Sequence, residues 1–169
     1  MNSFKVLSIV SLFLFSGLIT AQELKFGHIN IQELIVELPA KKEADQKLQA
    51  EAQVLQTRMQ KMSEEHENKF KEYLAERETM PELIRATMEK EIQDIEQRLQ
   101  NYQNMAQQTL SKKEQELYQP ILEKIQKAID AVGQEKGFIY IFDLSSQVVL
   151  YHSDKSVDCT PLVRAQLGL

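Results

Sequence analysis

The chain has 169 residues, with 20 Lys and Arg against 25 Asp and Glu, three His, one Cys and no Trp. Its net charge of −5 excludes the basic stripe that a nucleic-acid partner requires and speaks against strong binding to anionic lipid. The lone Cys159 excludes an intrachain disulfide.

Residues 1–21 read as a secretory signal peptide. Lys5 precedes an apolar run from Val6 to Ile19, interrupted at Ser16-Gly17, and the small Ala21 stands before Gln22. The alternative is a retained membrane anchor, but a run of about 14 residues is short of the roughly 20 that a spanning helix needs. Cleavage near Ala21 removes Lys5 and leaves a net charge of −6. An exported chain without disulfides must be held by packing, by oligomerisation, or by both.

Leu24 to Ile31 reads as a short strand. Asn30 is placed as an N-cap, with Glu33 three residues on as in a capping box, opening a brief helix from Gln32 to Leu38 that stops at Pro39. From Pro39 to Lys136 the chain is rich in Glu, Gln, Lys, Ala and Leu, all strong helix formers. Leu48, Ala52, Leu55, Met59, Met62, His66, Phe70 and Tyr73 recur at steps of three and four. So do Ile84, Met88, Ile92, Ile95, Leu99, Tyr102, Ala106 and Leu110, then Leu117, Ile121, Ile125, Ala128 and Val132. This is coiled-coil spacing. Pro81 cannot sit in a helix interior but presets the first turn of a new one, so the stretch is expected to fold back there into an antiparallel hairpin. Pro120 lies inside the returning pattern and predicts a kink rather than a break.

Gly133 and Gly137 bracket the end of the second helix. Gly137–Asp143 and Gln147–His152 are β-branched and aromatic, and Leu144-Ser145-Ser146 is expected to join them as a hairpin. Thr160-Pro161 opens a last short helix, with Thr160 as N-cap.

The expected class is α+β and mostly α: a long helical arm, residues 39–136, projecting from a small β body made of residues 22–38 and 137–169. The 48 body residues that carry elements, 24–38 and 137–169, rarely suffice for a core without disulfides or metal, and their strands would leave edges exposed. Oligomerisation solves both problems. Phe26, Ile29, Phe138, Tyr140, Phe142, Val149 and Tyr151 are the residues expected at that interface.

Catalytic chemistry finds no support. There is no Gly-rich phosphate loop, no His-Glu-x-x-His and no paired cysteines. His152, Asp154, Asp158 and Cys159 lie close in sequence but lack a second cluster that would make a metal or Cys–His site. His66 stands alone on a helix. No enzyme, cofactor or metal is expected.

The order of elements, with Gln119-Pro120-Ile121, Glu135-Lys136-Gly137-Phe138, Phe142-Asp143, Leu150-Tyr151, and Asp158 with Thr160, resembles the Skp/OmpH family of periplasmic chaperones over the whole chain after the signal peptide. The resemblance implies a homotrimer in the periplasm. Its strands form a β body, and three arms surround a cavity that holds unfolded outer-membrane β-barrel proteins without ATP. The best-known member is basic, with arms linked to lipopolysaccharide. Here residues 40–136 carry 16 Lys and Arg against 19 Asp and Glu, which speaks against a lipopolysaccharide or anionic-lipid partner. Val54, Leu74, Met80, Leu83 and Met105 fall off the seam or at the tip and are the expected client contacts, because adaptable apolar side chains suit clients of many shapes. Met59, Met62 and Met88 fit the seam itself. The alternative is a structural coiled-coil spacer or scaffold of the cell envelope, with one fixed partner.

Overall fold

The computed structural model describes residues 24–169. The expected signal peptide lies outside the described residues. Seven elements follow in order: β1 (Phe26–Ile29), α1 (Ile31–Glu37), α2 (Pro39–Glu76), α3 (Glu82–Lys136), β2 (Tyr140–Asp143), β3 (Val157–Asp158) and α4 (Thr160–Leu167). The chain is mostly helical, with one small sheet.

Local chemistry sets the helix ends. Asn30 lies in the extended region, and its side chain accepts the backbone N–H of Glu33 at 3.2 Å, as an N-cap should. The other half of the capping box is diverted. The Asn30 N–H donates to Thr160 Oγ1, and the Glu33 carboxylate reaches Arg164. Pro39 stands at the start of α2, where its missing N–H costs nothing. α2 ends at Glu76, and after a turn Pro81 precedes α3. α3 runs unbroken through Pro120 and past Gly133. It closes on Gly137 at φ 70°, with the Phe138 N–H returning to the Gly133 carbonyl.

The sheet order is β2-β1-β3, and both pairings are parallel: Phe26 stands opposite Tyr140, and Gly27 opposite Val157. Parallel neighbours need a crossover connection. Between β1 and β2 that crossover is the entire arm. The expected hairpin between Gly137–Asp143 and Gln147–His152 does not form. Asp143 accepts from the backbone and hydroxyl of Ser145 and from the Ile31 N–H, Leu144 N–H reaches the Ile29 carbonyl, and Gln147 takes φ 58°. These bonds turn the chain away from β2 and carry it to the other side of β1, where Val157–Asp158 supplies the third strand. Residues 147–152 are left without regular structure.

Burial alternates along the strands, as one covered face demands. Gly27, Ile29 and Ile141 face inward, while Phe26, Tyr140 and Phe142 are exposed. Gly27 sits where a Cβ would meet Cys159 Sγ at 2.5 Å, so only glycine lets β1 lie this close to the fully buried thiol. The core comprises Ile29, Leu34, Leu38, Ala44, Ile121, Ile125, Ala128, Val132 and Val163. More than half of these come from α2 and α3. The base of the arm is therefore part of the body's core, which makes that core larger than residues 24–38 and 137–169 alone could provide.

Thr160 was expected as an N-cap. The helix begins with it instead, after Cys159, a one-residue difference. Its hydroxyl is occupied by Asn30, and Asp158 Oδ1 takes the Thr160 N–H at 2.9 Å.

Candidate functional site

Two surfaces stand out: the outside of the arm and the open face of the sheet. The arm is antiparallel, as its cross-helix bonds show. Asp45 accepts from Tyr118 Oη at 2.6 Å, Glu65 meets Arg98 at 3.1 Å, Lys69 meets Glu91 at 3.0 Å, and Glu89 accepts from Tyr73 Oη at 2.6 Å. The partner number falls as the first rises. Between these bonds runs the apolar seam. Met88, Ile92, Ile95 and Ala106 are buried, and Leu48, Ala52, Leu55, Met59, Met62, Leu99 and Tyr102 are half-buried. His66 lies in the seam too, 3.0 Å from Glu96.

The polar bonds also set protonation. Hydrogen bonds from Lys41 and then Tyr118 hold the Asp45 carboxyl below the usual carboxylate range, and the same bond pushes the Tyr118 phenol up. A hydrogen bond to Glu91 raises Lys69. All of these groups remain largely open to water, so the pairs fix register more than they stabilise.

With the seam satisfied, apolar side chains remain outside it. Val54, Leu74 and Met105 are exposed, Leu83 is 78% exposed, and Met80 is half-buried. They do not form one patch. Leu74, Met80 and Leu83 are near the tip, whereas Val54 and Met105 lie partway down the arm. Phe70 and Ile84 are exposed near the tip as well. Both carry seam spacing in the sequence and were not expected outside the seam. Ile84 stands where the helices run out beside Pro81 and lacks covering neighbours, whereas Phe70 is exposed although Tyr73 and Met88, nearer the tip, are covered.

The open face of the sheet is aromatic. Tyr140 stacks between Phe26 at 6.3 Å and Phe142 at 5.7 Å. Beside them a cavity of about 760 Å³ is lined by Leu24, Phe26, Phe142, Val149, Tyr151 and Val157, among others. Leu150 and Tyr151, in the stretch that forms no strand, are 95% and 82% exposed. Of the residues expected at an interface, Phe26, Tyr140, Phe142, Val149 and Tyr151 fall on this side. Ile29 is inside the chain's own core, and Phe138 packs against it. Sequence reasoning weighed His152 only beside Asp154, Asp158 and Cys159 and did not foresee its stacking on His28, at 4.3 Å on the cavity wall.

Cys159 is buried, and that burial pushes its thiol up, away from the reactive thiolate. Among the described residues no three His, Cys, Asp or Glu side chains converge as metal ligands would. No described helix is long and apolar enough to cross a membrane.

Comparison with known proteins gives one family and one fold. The family described as "Outer membrane protein (OmpH-like)" matches residues 25–167. No curated protein matches. A crystal structure of an OmpH-like outer membrane chaperone from Caulobacter crescentus CB15 superimposes with a TM-score of 0.70 at 16% identity, covering 86% of this chain and 84% of that one. At that identity the likeness speaks for the fold.

Proposed function

The chain belongs to the OmpH-like outer membrane protein family, and on that premise we propose that it is a periplasmic chaperone that holds unfolded outer-membrane β-barrel proteins without ATP. In this reading residues 22–38 and 137–169 form an oligomerisation body, and residues 39–136 form the arm. Three copies join through their bodies, and the three arms surround the client.

One observation carries the client-holding part. The arm satisfies its own seam and still presents Val54, Leu74, Leu83 and Met105 to solvent. Dispersed apolar contacts of this kind are weak one by one, which suits a holder that must release its client without nucleotide. Binding the unfolded state alone withdraws it from aggregation by mass action. Assembly through the body is supported by the aromatic open face, by exposed Val148, Leu150 and Tyr151 and by the outer edge of β2, unpaired among the described residues, since monomers rarely leave such a face and edge unprotected. The acidic balance of the arm favours protein clients over lipopolysaccharide or anionic lipid.

The test is dilution of a urea-unfolded outer-membrane β-barrel protein into the purified protein, with light scattering of the client and mass measurement of the chaperone. Suppression of aggregation near one trimer per client is expected. A monomer at micromolar concentration contradicts the assembly reading. No suppression at several-fold excess contradicts the chaperone reading and favours a fixed envelope spacer.

A further inference from the structure

We propose that the distal half of the arm selects segments of unfolded chain that combine apolar residues with lysine or arginine. The inference rests on the reading of the arm as the client-holding surface and names the chemistry which that surface prefers.

The charge of the arm is not spread evenly. Residues 62–100 run up α2, around the turn at Pro81 and back along α3, and they carry 6 Lys and Arg against 11 Asp and Glu, a net of −5. The rest of the arm, residues 40–61 and 101–136, carries 10 against 8, a net of +2. Exposed apolar side chains gather in the same distal part. Phe70, Leu74, Leu83 and Ile84 lie there, against Val54, Met105 and Leu122 in the longer remainder. The part of the arm with the most open apolar surface is therefore also the part with the carboxylate excess.

Ion pairs within the arm do not use up that excess. Lys69 pairs with Glu72 and Glu91, Lys71 with Glu67, Arg77 with Glu78, and Arg98 with Glu65. Among the described residues, Glu64, Glu76, Glu82, Glu89 and Asp94 meet no cation, whereas of the distal cations just Arg85 and Lys90 meet no carboxylate. All five of these carboxylates are exposed.

Screening decides which of them a client feels. At physiological salt the screening length is about 8 Å, or about five residues of helix rise. Glu76 lies within that reach of Leu74, and Glu82 within reach of Leu83 and Ile84. A client segment that docks an apolar side chain on Leu74 or Leu83 brings its next residues beside these carboxylates. Lysine or arginine is attracted there, and aspartate or glutamate is repelled. Arg85 works against this, but Glu82 three residues before it and Glu89 four residues after it outnumber it on its own helix face. Apolar burial supplies the affinity, and charge supplies the choice.

The test is fluorescence anisotropy of three labelled peptides with the purified protein. The peptides share the same Phe and Leu positions and carry Lys, Glu or Gln at the others. At about 50 mM salt the Lys peptide should bind about tenfold tighter than the Glu peptide, and the gap should shrink to about twofold at about 500 mM. The triple variant Glu76→Gln, Glu82→Gln, Asp94→Asn alters carboxylates that hold nothing in the fold, so it should narrow the gap at low salt and leave binding of the Gln peptide unchanged. The variant Glu43→Gln, Glu114→Gln, at the base, should keep the gap. Equal or reversed affinities for the Lys and Glu peptides at low salt overturn the proposal and leave the client-holding reading standing. A gap that survives the distal variant, or that the basal variant narrows as much, overturns it too. If no peptide binds, the proposal falls, and the aggregation assay then decides whether the chaperone reading falls with it.

Discussion

The base and the tip of the arm are written in nearly the same residues and end in different states. At the base, Ile121, Ile125, Ala128 and Val132 are buried together with Ala44, Leu34 and Val163. At the tip, Phe70, Leu74, Leu83 and Ile84 are exposed. The base is covered from several sides, by α1, α4 and β1 as well as by the partner helix. The tip has only the partner helix, and two helices cannot cover each other's flanks. A two-helix arm thus shifts from structural core to open apolar surface along its length without any change in composition, and the distal surface is free to meet another chain.

The largest effect expected from this contrast is at the base. Ile125→Ala removes a side chain that is 1% exposed and should lower stability by about 2–5 kcal/mol in urea unfolding. Leu83→Ala, at the tip, should stay within about 0.5 kcal/mol of wild type. Equal losses at the two sites would erase the distinction between core and contact surface. Gly27→Ala should follow at about 1–3 kcal/mol, since the new methyl meets Cys159 Sγ. A Cys159→Ala change in the same chain should recover part of that loss, and a double variant no better than the sum of the singles would place the strain elsewhere.

Smaller effects separate cross-links from packing. Arg164 ties α1 to α4 through Glu33 and Glu37, with Nε 2.7 Å from Glu37. These groups are partly exposed, so Arg164→Met should lower the thermal or urea unfolding midpoint only slightly. The smallest effect is at Asp45, beside Tyr118. Its carboxyl is held below the ordinary range by Lys41 and Tyr118. A lowered folded-state pKa adds stability above the unfolded pKa, and that stability is lost as pH falls through the folded value. Asp45→Asn should therefore flatten a slight acid-side slope in stability below about pH 4 and leave the neutral value almost unchanged. An unaltered slope would assign the acid sensitivity to other groups.

What the sequence disclosed and what it withheld divide by range. The turn at Pro81, the Asn30 cap, the C-terminal stop at Gly137 and the seam from Leu48 to Ala106 are local patterns, and each was readable from neighbouring residues. So was the family, from the motifs flanking the arm. The path of residues 147–152 was not. Val148-Val149-Leu150-Tyr151 has strand composition, but the hydrogen bond that Asp143 accepts from the Ile31 N–H and the one that the Leu144 N–H donates to the Ile29 carbonyl turn it away from β2. Nothing adjacent in sequence signals those bonds. The parallel pairing of Phe26 with Tyr140 spans the whole arm and is likewise invisible locally. The same distance hid the stacking of His28 on His152, and only the strand alternation that turns Phe26 and Tyr140 outward offered a hint. The contribution of Ala44 and Ile121 to Val132 to the body's core was hidden for another reason. Seam spacing reads the same whether a helix is covered by one neighbour or by several.

The central claim is that exposed apolar residues on an otherwise satisfied arm hold the client. Its most direct measurement compares wild type with the triple variant Leu74→Gln, Leu83→Gln, Met105→Gln in suppressing aggregation of an unfolded outer-membrane β-barrel protein, with mass and unfolding midpoint recorded for both. The account predicts an unchanged mass, a midpoint close to wild type and a severalfold loss of suppression. A triple variant that keeps both its fold and full suppression would contradict it.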